Sequence, residues 1–188
     1  MKKNVLVRGP LLSQSGYGNH AREVVKWLLK KDNVNVKTQV LPWGITPWLL
    51  DKSAESGLVG KIMNMSIDST EDMFDVSYQI QLPSEWDPEI AKKNVGITAA
   101  VETDICHPSW ISCCNRMDSI VVPSKFTKKT LERSGEIITP ITVIPESFIS
   151  EIKSEDKILE VDFSTEFNFL LFGMITGHNP KNDRKNLF

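Results

Sequence analysis

Arg8-Gly9-Pro10-Leu11-Leu12-Ser13-Gln14-Ser15-Gly16-Tyr17-Gly18-Asn19-His20 is the stretch that decides the fold, because of what flanks it. Upstream, Asn4 to Val7 alternates poorly but is rich in β-formers, as a strand buried on both faces should be. Downstream, between Tyr17 and Lys30, apolar residues fall at Ala21, Val24, Val25, Leu28 and Leu29, the spacing that fills one face of a helix. Two glycines at the start of that helix leave backbone N–H groups bare where the helix dipole favours an anion. A strand, a glycine loop and a helix together predict a phosphate-facing corner.

The pattern repeats along the chain. Val34 to Leu41, Asp75 to Leu82, Asn94 to Val101, Ser119 to Val122 and Ile141 to Ile144 read as strands, and so does the alternating Ile62 to Ile67. Pro108 to Met117 and Ser124 to Ser134 read as helices, the second capped by Ser124 and closed by Gly135. Leu41 to Gly60, with Trp43 and Trp48, reads as a long surface loop. Strands alternating with helices predict an α/β domain: a Rossmann-like, doubly wound and mostly parallel sheet. Residues 1–148 are expected to form that domain and 149–166, rich in Glu, Lys, Asp and Ser, a linker. Residues 167–188 begin a new strand, Phe167 to Ile175, that runs into the loop Gly173 to Arg184, the start of an unfinished β–α unit.

Composition narrows the function classes. With 40% hydrophobic and 24% charged residues, the chain reads as soluble and globular. A formal net charge of −2 argues against a nucleic-acid partner, whose binders carry a basic surplus. Met1-Lys2-Lys3 leads straight into the first strand, which predicts no secretory leader, and no apolar run approaches the roughly 20 residues of a membrane helix. The three cysteines include the adjacent pair Cys113 and Cys114, suiting reduced thiols and a cytoplasmic location. The same adjacency argues against a structural zinc site, whose paired ligands stand two to four residues apart, and no carboxylate pair stands at a convincing metal-binding spacing, so no metal is expected. Lys125, Lys128, Lys129 and Arg133 line one helix flank, by default a solvated face and otherwise a peripheral contact with the inner face of a membrane.

Gly16-Tyr17-Gly18-Asn19-His20-Ala21 also fits the relaxed dinucleotide fingerprint. Two features oppose a nicotinamide or flavin: Pro10 to Ser15 intervene between strand and glycines, and the second strand ends Thr38-Gln39-Val40-Leu41 without the acid that holds a ribose.

Three segments, in order, resemble the N-terminal domain of retaining glycosyltransferases with two facing Rossmann-like domains, the GT-B fold of family 4. They are Gly9-Pro10-Leu11 through Ser15 to Arg22; then Glu102-Thr103-Asp104, Pro108-Ser109-Trp110 and Met117 to Phe126; and Ser134-Gly135 followed by Pro140 to Pro145. Phe169 to Gly173 and Asp183 to Leu187 look like the first strand and loop of the family's second domain, which binds the nucleotide-sugar. The resemblance implies transfer of a sugar from a nucleotide diphosphate to an acceptor hydroxyl, with retention. It implies diphosphate contacts at Gly16, Gly18, Arg184 and Lys185, acceptor contacts at Tyr17, Asn19 and Trp110, and catalytic roles for Glu102, Asp104 and His20. The donor would be a substrate, with no cofactor; the acceptor would be a glycan, a lipid-linked sugar or a small molecule. A non-catalytic binding domain and a dinucleotide-dependent oxidoreductase remain the alternatives on the residues alone.

Overall fold

The first strand, β1 (Lys3–Gly9), buries Val5, Leu6 and Val7 on both of its faces, and the architecture grows around it. The computed structural model describes residues 2–68, 73–147 and 162–169. After β1 come α1 (Gly16–Leu28), β2 (Val34–Val40), α2 (Ala54–Met65), β3 (Val76–Ile80), a single 3₁₀ turn (Pro83–Glu85) and β4 (Asn94–Ile97). Then follow α3 (Pro108–Cys114), β5 (Ser119–Val122), α4 (Lys125–Ser134) and β6 (Ile141–Val143). The strands form one six-stranded sheet in the order β2-β1-β3-β4-β5-β6, every pair parallel. This is a Rossmann-like α/β sheet, and its strand order reverses between β1 and β3.

The chain divides into two units, Met1–Phe148 and Ile149–Phe188. In the second, residues 162–169 are irregular and exposed, with the Phe167 and Phe169 rings meeting edge to face at 5.1 Å. The strand expected from Phe167 is therefore not formed over Phe167 to Phe169, and its remainder, with Arg184 and Lys185, lies outside the described residues.

Register sorts the core into two layers. Val5, Val7 and Val36 share a face, because Val5 stands opposite Val36. They pack with Ala21, Val25 and Leu28 of α1 and Leu58, Val59 and Ile62 of α2. Ile120 and Val122 point to the other face and meet Ile111, Cys114 and Leu131 from α3 and α4. Ile62 to Ile67, expected as a strand, is instead mostly the second half of α2, and the expected loop before it ends early, at Ala54. Leu58, Val59 and Ile62 stand at i, i+1 and i+4, a helical stripe; only Ser66 joins the sheet, through an isolated bridge to Thr38.

A polar layer fastens the loop after β3. Gln79 is fully buried; its Nε2 donates to Ser77 Oγ (3.0 Å) and the Asp87 carbonyl (2.6 Å), and its Oε1 accepts from the Asp87 amide (2.8 Å). Among the described residues every buried side-chain polar atom has a partner, which removes the desolvation cost such a layer would otherwise carry.

Cys114 sits at the base of α3, wholly buried. Burial, reinforced by Cys106 and Cys113, pushes its thiol up to about 12. The folded value exceeds the unfolded one, so the stability it contributes is complete below the ordinary thiol range and is lost as pH rises toward 12. Alkylation of the native protein at pH 8 should label the half-buried Cys113 and spare Cys114; equal labelling of both would contradict this packing.

Candidate functional site

Helix α1 starts at Gly16 because Ser15 caps it. Ser15 has extended backbone (φ −136, ψ 166), and its Oγ accepts from the Gly18 amide at 3.0 Å. The Asn19 amide makes the first helical bond, to the Ser15 carbonyl at 2.9 Å. The amides of Gly16 and Tyr17 are left without an acceptor inside the helix, as at any helix N-terminus. Gly16 is exposed, and a Cβ built on it would meet nothing within 4 Å. Gly18 is the reverse case. It is buried, its amide is engaged by Ser15, and an added Cβ would overlap the Ser13 carbonyl oxygen. Packing alone demands glycine at 18; the open position is 16.

The loop between β1 and α1 is clamped from below by Arg22, which is 3% exposed. Its Nη1 donates to the carbonyls of Leu11 (3.1 Å) and Ser13 (3.0 Å), its Nη2 to Asn19 Oδ1, and its Nε to Glu55 Oε1 (2.5 Å). Glu55 reaches it from a left-handed stretch at the start of α2, with φ of 50 at Glu55 and 56 at Ser56. Two non-glycine residues in that region are held against a cost of about 1–3 kcal/mol each, and the pair of buried Arg22 with exposed Glu55 fastens them to α1.

From above, residues 43–50 pair with the same loop. Gln14 donates its amide to the Pro47 carbonyl, and Leu49 donates its amide to Leu12. Ser13 Oγ bonds both Ser15 Oγ and Thr46 Oγ1, each at 2.8 Å. Trp43 stacks on Tyr17 with ring centroids 4.3 Å apart. The Tyr17 hydroxyl in turn bonds Thr98 Oγ1 and accepts from the Ala99 amide, both at 3.0 Å. Burial, only partly offset by the hydrogen bond to Thr98, raises the phenol above its ordinary range, so Tyr17 is a neutral strut. It ties α1 to the exit of β4, where Ala100 is left-handed at φ 55. Strained backbone at the carboxyl end of a parallel strand is a common mark of a binding crevice.

His20 is half-buried one turn into α1, and its Nδ1 lies 3.1 Å from Glu146 Oε1 just beyond β6. Ser147 Oγ also donates to Glu23, at 3.3 Å, so the segment after β6 is fastened to α1 twice. The pairing fixes the imidazole's orientation and leaves its Nε2 for a ligand.

The structure thus brings Gly16, Tyr17 and His20 to one end of the sheet, together with Thr98, Ala100 and Glu146. Asn19 is exposed beside them, its Oδ1 engaged by Arg22. Glu102 and Asp104 are exposed in the turn after β4. Trp110 is half-buried against the Trp86, Cys106 and Ile111 cluster, on the face opposite α1. Arg22 and Glu146 were missed by sequence reasoning. Arg22 carries a signal, since it falls with Gly18 and Val25 on the buried stripe of α1, where a charge needs partners. Glu146 carries none, its pairing with His20 spanning 126 residues.

Among the described residues, no group of three or more His, Cys, Asp or Glu is placed to hold a metal ion, and no helix is long and apolar enough to cross a membrane. Compared with known proteins, the chain matches no family model, no curated protein and no solved structure.

Proposed function

We propose that residues 2–147 form the acceptor-side half of a GT-B glycosyltransferase, which moves a sugar from a nucleotide diphosphate to an acceptor hydroxyl with retention. One observation carries the reading: Gly16 heads α1 where the strand order reverses, with open space where a side chain would stand. Open α/β sheets bind ligands at that reversal, and a Cβ there would hold a phosphate away from the amides.

The barrier lies in departure of the diphosphate, which gathers negative charge as the sugar becomes cation-like. The Gly16 and Tyr17 amides face that charge as fixed donors. His20, oriented by Glu146, is the group that meets the acceptor hydroxyl or the sugar. The stacked Tyr17 and Trp43 rings give a sugar an aromatic wall. Glu102 and Asp104, from the turn after β4, would hydrogen-bond acceptor hydroxyls.

The test is a product assay with the full chain, a panel of nucleotide-sugars and a panel of sugar and lipid-linked acceptors. Release of nucleoside diphosphate coupled to acceptor glycosylation is the expected result. Absence of transfer from every donor, or turnover of a nicotinamide instead, would overturn the proposal.

A further inference from the structure

Arg8 stands at the carboxyl end of β1, on the face of the sheet away from α1, because it alternates with Val5 and Val7, which face α1. Its Nε donates to Gln39 Oε1 on β2 (2.9 Å) and its Nη1 to Gln81 Oε1 just past β3 (2.7 Å) and to the Glu85 carbonyl (2.8 Å). All three acceptors are neutral. Among the described residues no carboxylate lies within ion-pair distance of Arg8. Asp87 and Glu85 act on it only from further off, and burial outweighs them, holding the guanidinium below its ordinary range. Both acids are engaged elsewhere: Glu85 Oε2 accepts from the Leu82 amide and Asp87 Oδ1 from the Glu89 amide, each at 3.0 Å. A half-buried cation without a counter-ion has given up hydration and gained no opposite charge in return.

A guanidinium carries five N–H groups and no acceptor. Three are spent here, and the two on Nη2 remain, between the edge given to Gln39 and the edge given to Gln81 and Glu85. Since both glutamine oxygens face the guanidinium, both NH2 groups are left without an acceptor among the described residues. Gln81 is only 3% exposed. Every buried side-chain polar atom described has a partner, so Gln81 Nε2, which has none, must be an atom that reaches solvent. The same holds for Arg8 Nη2 and Gln39 Nε2. Three nitrogens with free N–H groups thus surround one uncompensated charge, across the reversal in strand order between β1 and β3, where open α/β sheets bind ligands.

We propose that Arg8, Gln39 and Gln81 form a binding site for a carboxylate. One carboxylate oxygen is received by Nη2 and Gln39, the other by Nη2 and Gln81, as charge-assisted hydrogen bonds. Glu85 and Asp87 disfavour an ion of higher charge. On the sugar-transfer reading above, the carboxylate belongs to the acceptor, as in a uronic acid; the binding itself does not depend on that reading.

Side-chain N–H resonances of the full chain, followed during titration with glucuronate at constant ionic strength, test the site. The Gln39 and Gln81 NH2 groups and the Arg8 Nε–H should shift saturably with glucuronate and stay unmoved with glucose or pyrophosphate. Gln81→Glu gives Arg8 a carboxylate of its own and should abolish the shifts of Gln39 and Arg8 without lowering the melting transition. Arg8→Lys keeps the charge without the fork and should weaken binding about tenfold or more, the loss of one hydrogen bond to a charged group. If Gln81→Glu fails to fold, Arg8→Lys decides on the same readout. No saturable shift with glucuronate, equal shifts with glucose or pyrophosphate, or variants that bind as wild type would overturn the proposal. Failure of every transfer assay would leave these shifts in place, whereas transfer to neutral acceptors without them would overturn this site alone.

Discussion

Arg22→Met is expected to cost about 2–4 kcal/mol of stability, because it strands two buried carbonyl oxygens, and leaving a buried acceptor unsatisfied costs about 1–3 kcal/mol. The side chain is 3% exposed and donates to two backbone carbonyls, one asparagine and one carboxylate. Methionine replaces the volume but none of these donors. The Leu11 and Ser13 carbonyls then stay buried without a partner, and Glu55 loses the contact that compensates its left-handed backbone. Lysine should rescue little, since a single ammonium cannot reproduce a planar fork reaching four acceptors. Urea denaturation measures the loss; a change below about 1 kcal/mol, the scale of an ordinary surface pair, would contradict the role assigned to Arg22.

Gly18→Ala and Gly16→Val should have opposite outcomes two residues apart. At Gly18 the new methyl overlaps the Ser13 carbonyl oxygen and lies 3.0 Å from the Pro10 carbonyl oxygen. Both obstacles are backbone, and both belong to the loop that Arg22 holds. The helix or the loop must move, with a loss of about 3 kcal/mol or more, as for overpacking at a site with no slack. At Gly16 nothing lies within 4 Å, so valine should leave the melting transition within about 0.5 kcal/mol of wild type. Its isopropyl group would occupy the space in front of the Gly16 and Tyr17 amides. Stability and ligand binding are thereby separated by a single pair of variants.

The sheet was legible because its strands announce themselves. Ser119 to Val122 emerges with the bounds expected of it, β2, β3, β4 and β6 fall inside their expected ranges, and β1 overruns the expected Asn4 to Val7 at both ends. Short apolar runs closed by proline or glycine leave a buried parallel strand little latitude. Helix α2 was illegible because its entry is irregular: Glu55, Ser56 and Gly57 are all left-handed, and Arg22, 33 residues away along the chain, holds them so. No local pattern carries that information. At the site, the open Gly16 and the caps at Ser15 and Ser124 follow from local chemistry. Three contacts are long-range: Tyr17 with Thr98, His20 with Glu146, and the β1–α1 loop with residues 43–50. Trp110, half-buried, packs against the core cluster that α3 shares with Trp86 and Cys106.

The central claim is that the glycine loop holds a diphosphate on the Gly16 and Tyr17 amides. Amide chemical shifts of the full chain, followed during titration with pyrophosphate and then with nucleotide-sugars, test it most directly. The account predicts saturable shifts confined to Ser15–His20 and Thr98–Ala100, absent in Gly16→Val while its melting transition is unchanged. No shift at the loop, or the same shifts in the valine variant, would contradict it.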